Sequence, residues 1–183
     1  SSVMCWGRNS YGQLGNGANA SASAPVTAIG LTDAVQVDAG ENHTCARRAT
    51  GAVVCWGYNL YGQVGNNTTA NRNLPTAAGV IDNAVWVTSG YNYSCAARTT
   101  GAVVCWGYNN YGQVGDNTTT NRSVPVSVLN VSDAVQVHAG YALTCIRRAS
   151  GAVQCIGYNG YGSLGDGSFT NRRLFDNRLP VFG

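Results

Sequence analysis

Seven cysteines and two histidines are the side chains of this sequence best suited to do chemistry, and their spacing decides which chemistry is open to them. Cys5, Cys55, Cys105 and Cys155 form one series, and Cys45, Cys95 and Cys145 form a second, each with a period of 50 residues. A zinc site wants four ligands, usually in C-x-x-C pairs or with added histidines. The chain has no C-x-x-C and only His43 and His138, so the cysteines are read as binding no metal.

The ten-residue offset between the two series suits a disulfide. Cys45 and Cys55 flank the turn Ala49-Thr50-Gly51, which sets them opposite each other on neighbouring strands. At a non-hydrogen-bonded position the Cα atoms lie roughly 4.5 to 5.5 Å apart, within disulfide range. The same holds for Cys95 with Cys105 and for Cys145 with Cys155. Each bond closes a short loop and contributes about 2–3 kcal/mol on the chain-entropy model. Three such pairs point to an oxidising compartment, hence a secreted or cell-surface protein. Cys5 is left unpaired, and its partner by register would lie ten residues upstream, ahead of Ser1. It reads as a half-cystine, with a free thiol or an interchain bond as the other options.

Acid, base and nucleophile groups do not converge. Asp38, Thr88 and His138 share one repeat position and read as a variable solvent-facing strand position. The Gly-rich stretch GYNLYGQVG precedes a strand rather than a helix, so its glycines serve turns and not a phosphate cradle. The chain is expected to be non-enzymatic and to need no cofactor. Its net charge of +3 comes from eleven arginines without a lysine, spread along the sequence, which is not the dense basic face of a nucleic-acid binder. No apolar run of 18 residues occurs, so membrane insertion by a helix is not expected.

The positioning elements follow from the repeat. GAVVCWGYNLYGQVGNNTT (51–69) and GAVVCWGYNNYGQVGDNTT (101–119) agree at 17 of 19 positions. AVQVDAG (34–40) alternates with a strand period, with Val35, Val37 and Ala39 on one side. HTCARRATGAVVCWG (43–57) reads as two strands around a turn, and a fourth extended segment surrounds LPTAAG. Four strands in about 50 residues, without helical periodicity, predict a propeller blade. The chain reads as one repeat domain, 1–183, with units at approximately 1–33 (partial), 34–83, 84–133 and 134–183.

CWGYNxYGQxG, a proline twenty residues after the cysteine, and then AVxVxAGxxHT together resemble the regulator of chromosome condensation (RCC1) repeat over essentially the whole chain. The resemblance implies an all-β, RCC1-like β-propeller of usually about seven blades, of which about 3.5 four-stranded blades are present here. The remaining half of the ring would lie upstream, or copies would assemble with one another. The pattern lapses at Arg8, which stands where Tyr58 and Tyr108 do, at Ile156 in a Trp position, and in RRLFDNRLPVFG at the end. The resemblance also implies that His43 bonds the neighbouring blade. Nucleotide exchange on a nuclear GTPase is disfavoured by the disulfide pattern. Ultraviolet sensing is disfavoured because Glu41, Tyr91 and Tyr141 stand where those relatives carry Trp. Secreted bacterial members that inhibit enzymes across one end of the propeller are the nearest functional analogue.

The residues after each Ala-Gly or Ser-Gly vary inside a near-constant repeat: Glu41-Asn42-His43, Tyr91-Asn92-Tyr93 and Tyr141-Ala142-Leu143. Variation confined to one loop per blade is what a tunable face on a shared scaffold shows. Glu41, Asn42, His43, Tyr91, Asn92, Tyr93 and Tyr141 are therefore the candidate binding residues, for a protein partner of unknown identity. Assembly at a cell surface or in a filament, and carbohydrate binding through loop Tyr and Asn, are the alternatives. The unvarying Tyr58, Tyr61, Tyr108, Tyr111, Tyr158 and Tyr161 read as inter-blade packing, as do Trp6, Trp56 and Trp106. Asn9, Asn59, Asn109 and Asn159 read as loop braces, and Arg47, Arg48, Arg147 and Arg148 as a solvated rim.

Overall fold

The computed structural model describes residues 1–176; the part of the fourth unit and of the divergent end that runs past 176 lies outside the described residues. Short extended segments ended by glycine turns form β1 (Met4–Gly7), β2 (Ala22–Thr27), β3 (Ala34–Ala39), β4 (His43–Arg48), β5 (Val53–Gly57), β6 (Arg72–Ala77) and β7 (Ala84–Ser89). They continue with β8 (Tyr93–Arg98), β9 (Val103–Gly107), β10 (Arg122–Ser127), β11 (Ala134–Ala139), β12 (Leu143–Arg148) and β13 (Val153–Gly157). The sheets are antiparallel meanders: β1-β2, β3-β4-β5-β6, β7-β8-β9-β10 and β11-β12-β13. An isolated bridge between Gly157 and Arg172 marks the fourth strand of the last blade. The described residues thus form a partial β-propeller, with β7 packed between β3 and β11 on the inner side.

The register follows from the turns. Gly51 sits at φ +86°, Gly101 at +79° and Gly151 at +91°, where a side chain is strained. The hairpins they close set Cys45 opposite Cys55, Cys95 opposite Cys105 and Cys145 opposite Cys155. All three pairs are disulfide-bonded, each with a Cα separation of 4.1 Å.

The core consists of seams between blades. One cluster gathers Leu31, Ala46, Val54 and Trp56, a second Val53, Val64, Val87 and Trp106, and a third Val103, Val137, Ile146 and Ile156. Ile156 fills the tryptophan position, and Phe175, which replaces the repeat proline, is fully buried beside it. Trp56 and Trp106 are fully buried as expected, and their indoles donate to the carbonyls of Gln13 and Gln63 in the preceding blade, both at 2.8 Å. Trp6, by contrast, is 63% exposed, because no blade of the described residues covers its flank of β1.

The shared position of Asp38, Thr88 and His138 differs from its solvent-facing reading. Asp38 accepts the Ser89 amide at 2.6 Å, and buried Thr88 accepts the Ala139 amide at 3.2 Å, so both join inner strands of successive blades. Of the three, His138 alone faces solvent. The amide of Gln36 likewise grips Val87, donating to its carbonyl and accepting from its N–H.

His43 is a titratable group set deep in a seam. Ser94 Oγ donates to the Gln63 carbonyl at 2.9 Å, so it accepts from His43 Nε2 at 2.9 Å, and Nε2 carries the proton. Burial pushes the imidazole pKa down to about 4.

Two outcomes are expected. Replacing Cys95 and Cys105 together by Ser should lower unfolding free energy by about 2–3 kcal/mol, read as a smaller denaturant midpoint, because an eleven-residue loop is released. For His43, the unfolded chain takes up a proton below pH 6.5 that the folded imidazole refuses until about pH 4. Stability should therefore be fully present at pH 7.5 and fall by roughly 3 kcal/mol towards pH 4. Urea titrations should show that slope in the parent and a much flatter one in His43→Gln.

Candidate functional site

In an up-and-down blade, alternate connections lie at the same end. The loops 40–42, 90–92 and 140–142 therefore share one end with the long connections 8–21, 58–71, 108–121 and 158–171. Hydrogen bonds join the two sets: the amides of Tyr58, Tyr108 and Tyr158 donate to the carbonyls of Asn42, Asn92 and Ala142 at 2.8–2.9 Å. The turns 49–52, 99–102 and 149–152, each preceded by Arg48, Arg98 or Arg148, lie at the opposite end.

The backbone under the variable residues is held by close approach. A Cβ on Gly90 would come within 2.6 Å of the Gly140 carbonyl, and one on Gly57 within 2.6 Å of the Asn42 carbonyl. These contacts exclude larger residues and keep the loop path constant, whatever side chains follow. Glu41, Tyr91 and Tyr141 rise around a shallow depression of roughly 260 Å³ floored by Gly40, Gly90 and Gly140. The rings of Tyr91 and Tyr141 meet at 4.5 Å between centroids, tilted by 44°. Hydrogen bonding to Glu41, and its negative charge, hold the Tyr91 phenol above its ordinary pKa, so the ring is neutral at physiological pH.

The other candidate residues are not presented in the same way. His43 is 1% and Tyr93 0% exposed; both turn into the seam and cannot touch a ligand on this end. The Tyr93 hydroxyl donates to the Leu143 carbonyl at 2.5 Å and lies 3.0 Å from the Thr144 hydroxyl, the contact that corresponds to His43 with Ser94. Side chains of a strand alternate between faces, so the third residue of each tripeptide, already in β4, β8 or β12, points inward. Asn42 and Asn92 are half-buried, and Asn92 accepts from the Gln63 amide at 3.1 Å.

The GYNxYG tyrosines do join blades, as their constancy suggested, yet they do so on the surface. Tyr11, Tyr58, Tyr61, Tyr108, Tyr111, Tyr158 and Tyr161 form one unbroken run of ring contacts with centroid steps of 4.8–6.3 Å. Arg8, at the place of Tyr58, lays its guanidinium 5.3 Å from the centre of the Tyr11 ring. With Tyr91 and Tyr141, nine of the ten tyrosines stand at this one end. The three-residue spacing within YNxY was the available signal; the missing knowledge was that successive pairs meet across blades.

A second cleft, of roughly 380 Å³, opens between β1 and β3 and is lined by Met4, Cys5, Trp6, Val37 and Ala39 among others. Val37 is 43% exposed there. Among the described residues no group of three His, Cys, Asp or Glu is placed to hold a metal ion, and no helix is long and apolar enough to cross a membrane.

Solved structures share this architecture. Yeast RCC1 (Prp20) bound to Kap60 is 22% identical with a TM-score of 0.81, over 94% of this chain and 43% of that one. Human WBSCR16 is 22% identical with a TM-score of 0.80, over 94% and 47%. Prp20p from Saccharomyces cerevisiae, studied for its binding to Gsp1p and histones, is 22% identical with a TM-score of 0.81, over 95% and 45%. The chain therefore spans less than half the length of these structures. No curated protein matches the sequence. The model of the regulator of chromosome condensation (RCC1) repeat matches residues 2–47, 50–97 and 100–146, and a second model of that repeat matches 34–63. Three tandem matches along most of its length, on blades of the expected form, make this chain a member of the RCC1 repeat family.

Proposed function

We propose that the chain is a non-enzymatic protein-interaction module of an oxidising compartment, secreted or at the cell surface, that binds its partner across the tyrosine-bearing end. The observation that carries this reading is the cluster of exposed Glu41 and Tyr141 around half-buried Tyr91, set on a backbone that seams and glycine contacts hold rigid. Tyrosine gives large contact area at low entropic cost, and a rigid support keeps that cost low. Similar propellers have been solved with or studied against protein partners, Kap60 in one case and Gsp1p and histones in another. The three disulfides are consistent with an oxidising compartment. An inhibitor-like role across this end belongs to the same reading.

The assembly alternative rests on a different surface. Trp6 at 63% and Met4 at 46% exposure, with Val37 beside them, leave the flank of β1 apolar, and a second copy could cover it.

Two measurements test these readings. The Tyr91→Ala/Tyr141→Ala variant should unfold within about 0.5 kcal/mol of the parent, yet bind at least tenfold more weakly to any protein the parent captures from the extracellular fraction of its source. A partner held with unchanged affinity would remove these residues from the site. Sedimentation velocity tests assembly: association that rises with concentration and disappears in Trp6→Ser supports it, and a concentration-independent monomer refutes it.

A further inference from the structure

The tyrosine run has a feature that the inner cluster lacks: the protein itself shows what its rings accept. In three units the first tyrosine of GYNxYG meets the second edge-on, as Tyr58–Tyr61 at 78°, Tyr108–Tyr111 at 75° and Tyr158–Tyr161 at 77°. In the first unit Arg8 takes that place, and its guanidinium stands 5.3 Å over Tyr11 without breaking the run, because Tyr11 still meets Tyr58 at 4.8 Å. We propose that this run is a docking rail for arginine side chains carried every third residue by a polyproline II segment of a protein partner. The proposal rests on reading this end as the protein-binding end.

Geometry supports the spacing. The two alternating steps, 6.3 and 5.0 Å, put equivalent rings of successive loops no more than about 11 Å apart. Three residues of polyproline II chain, whose threefold turn returns every third side chain to the same face, cover about 9 Å. Electrostatics agree. Burial, with neighbouring phenols, raises the pKa of Tyr58, Tyr108 and Tyr158, so the rings attract cations through their quadrupole as neutral phenols. Among the described residues arginines stand at both ends, Arg47, Arg48, Arg98, Arg147 and Arg148 at the far one and Arg8, Arg72, Arg122, Arg172 and Arg173 at this one, where Asp116 and Asp166 pair with Arg122 and Arg172 and Glu41 adds a further carboxylate. Sugars want flat aromatic platforms, whereas consecutive rings here are turned by 51–78°.

The test uses the whole chain and a synthetic peptide, (Arg-Ser-Ser)₄, by titration calorimetry at pH 7.5 in 150 mM NaCl, with citrulline in place of arginine as the neutral isostere. The citrulline peptide should bind at least tenfold more weakly. Each exposed cation–π contact is worth about two- to fivefold, so Tyr61→Leu/Tyr111→Leu should weaken the arginine peptide by roughly 5- to 20-fold. Tyr61→Phe/Tyr111→Phe, which keeps the rings and guards against misfolding, should stay within twofold. Tyr91→Ala/Tyr141→Ala should also stay within twofold. The inference is overturned if citrulline binds as well as arginine, if the Leu variant binds like the parent, or if no peptide binds. Binding of cellohexaose that is lost in the Leu variant would assign the rail to glycans instead. Loss of peptide binding in the Tyr91/Tyr141 variant alone would remove the rail but leave the inner cluster as a protein site.

Discussion

Each seam of this protein turns on a buried main-chain carbonyl. The carbonyls of Gln13 and Gln63 each receive an indole N–H and a hydroxyl from the next blade, from Trp56 and Thr44 in one case and from Trp106 and Ser94 in the other. Gln113 receives the Thr144 hydroxyl, and apolar Ile156 fills the indole's place. A carbonyl has two lone pairs, and leaving them unmet away from water costs more than the bonds gain. The loop that carries the glutamine is thus pinned to the following blade, and the blade cannot shift without exposing it. Because the apolar clusters lie between sheets, no blade has a core of its own and stability is shared between neighbours.

The same pinning explains why function is left to a few side chains. The loops that contain Gln13 and Gln63 also carry Tyr11 and the Tyr58–Tyr61 pair, so the bonds that close the seams hold the rail in place. The Gly40, Gly90 and Gly140 approach fixes the inner loops, and the amide bonds from Tyr58, Tyr108 and Tyr158 fix the outer ones to them. What varies at 41, 91 and 141 therefore changes chemistry without changing backbone. Rigid presentation removes the ordering cost that a flexible loop bears on binding.

Position in the loop or at the start of the strand sorts residues of one tripeptide into opposite roles. Tyr91, in the loop, stands half-buried against Tyr141, whereas Tyr93, the first residue of β8, is sealed in the seam with its hydroxyl on Leu143. His43 and Tyr93 answer the same structural need with different donors, which is why that position tolerates variation without being a binding position. Variation within a repeat thus has two causes, contact with a partner and exchange of one seam donor for another.

Sequence alone determined the blade, the 50-residue unit, the three disulfides and the bracing role of Asn59 and its counterparts, because all of these depend on strand period, turns and separations of ten or twelve residues. Tertiary structure decided which residues meet. Asp38 reaching Ser89, Gln36 gripping Val87 and Tyr61 touching Tyr108 join positions 47 to 51 residues apart, and their contact depends on how one blade turns against the next. Local periodicity carries no information on that angle. It marked the tyrosine run as inter-blade packing without placing it at the surface, and it left the buried His43 and Tyr93 looking like a site.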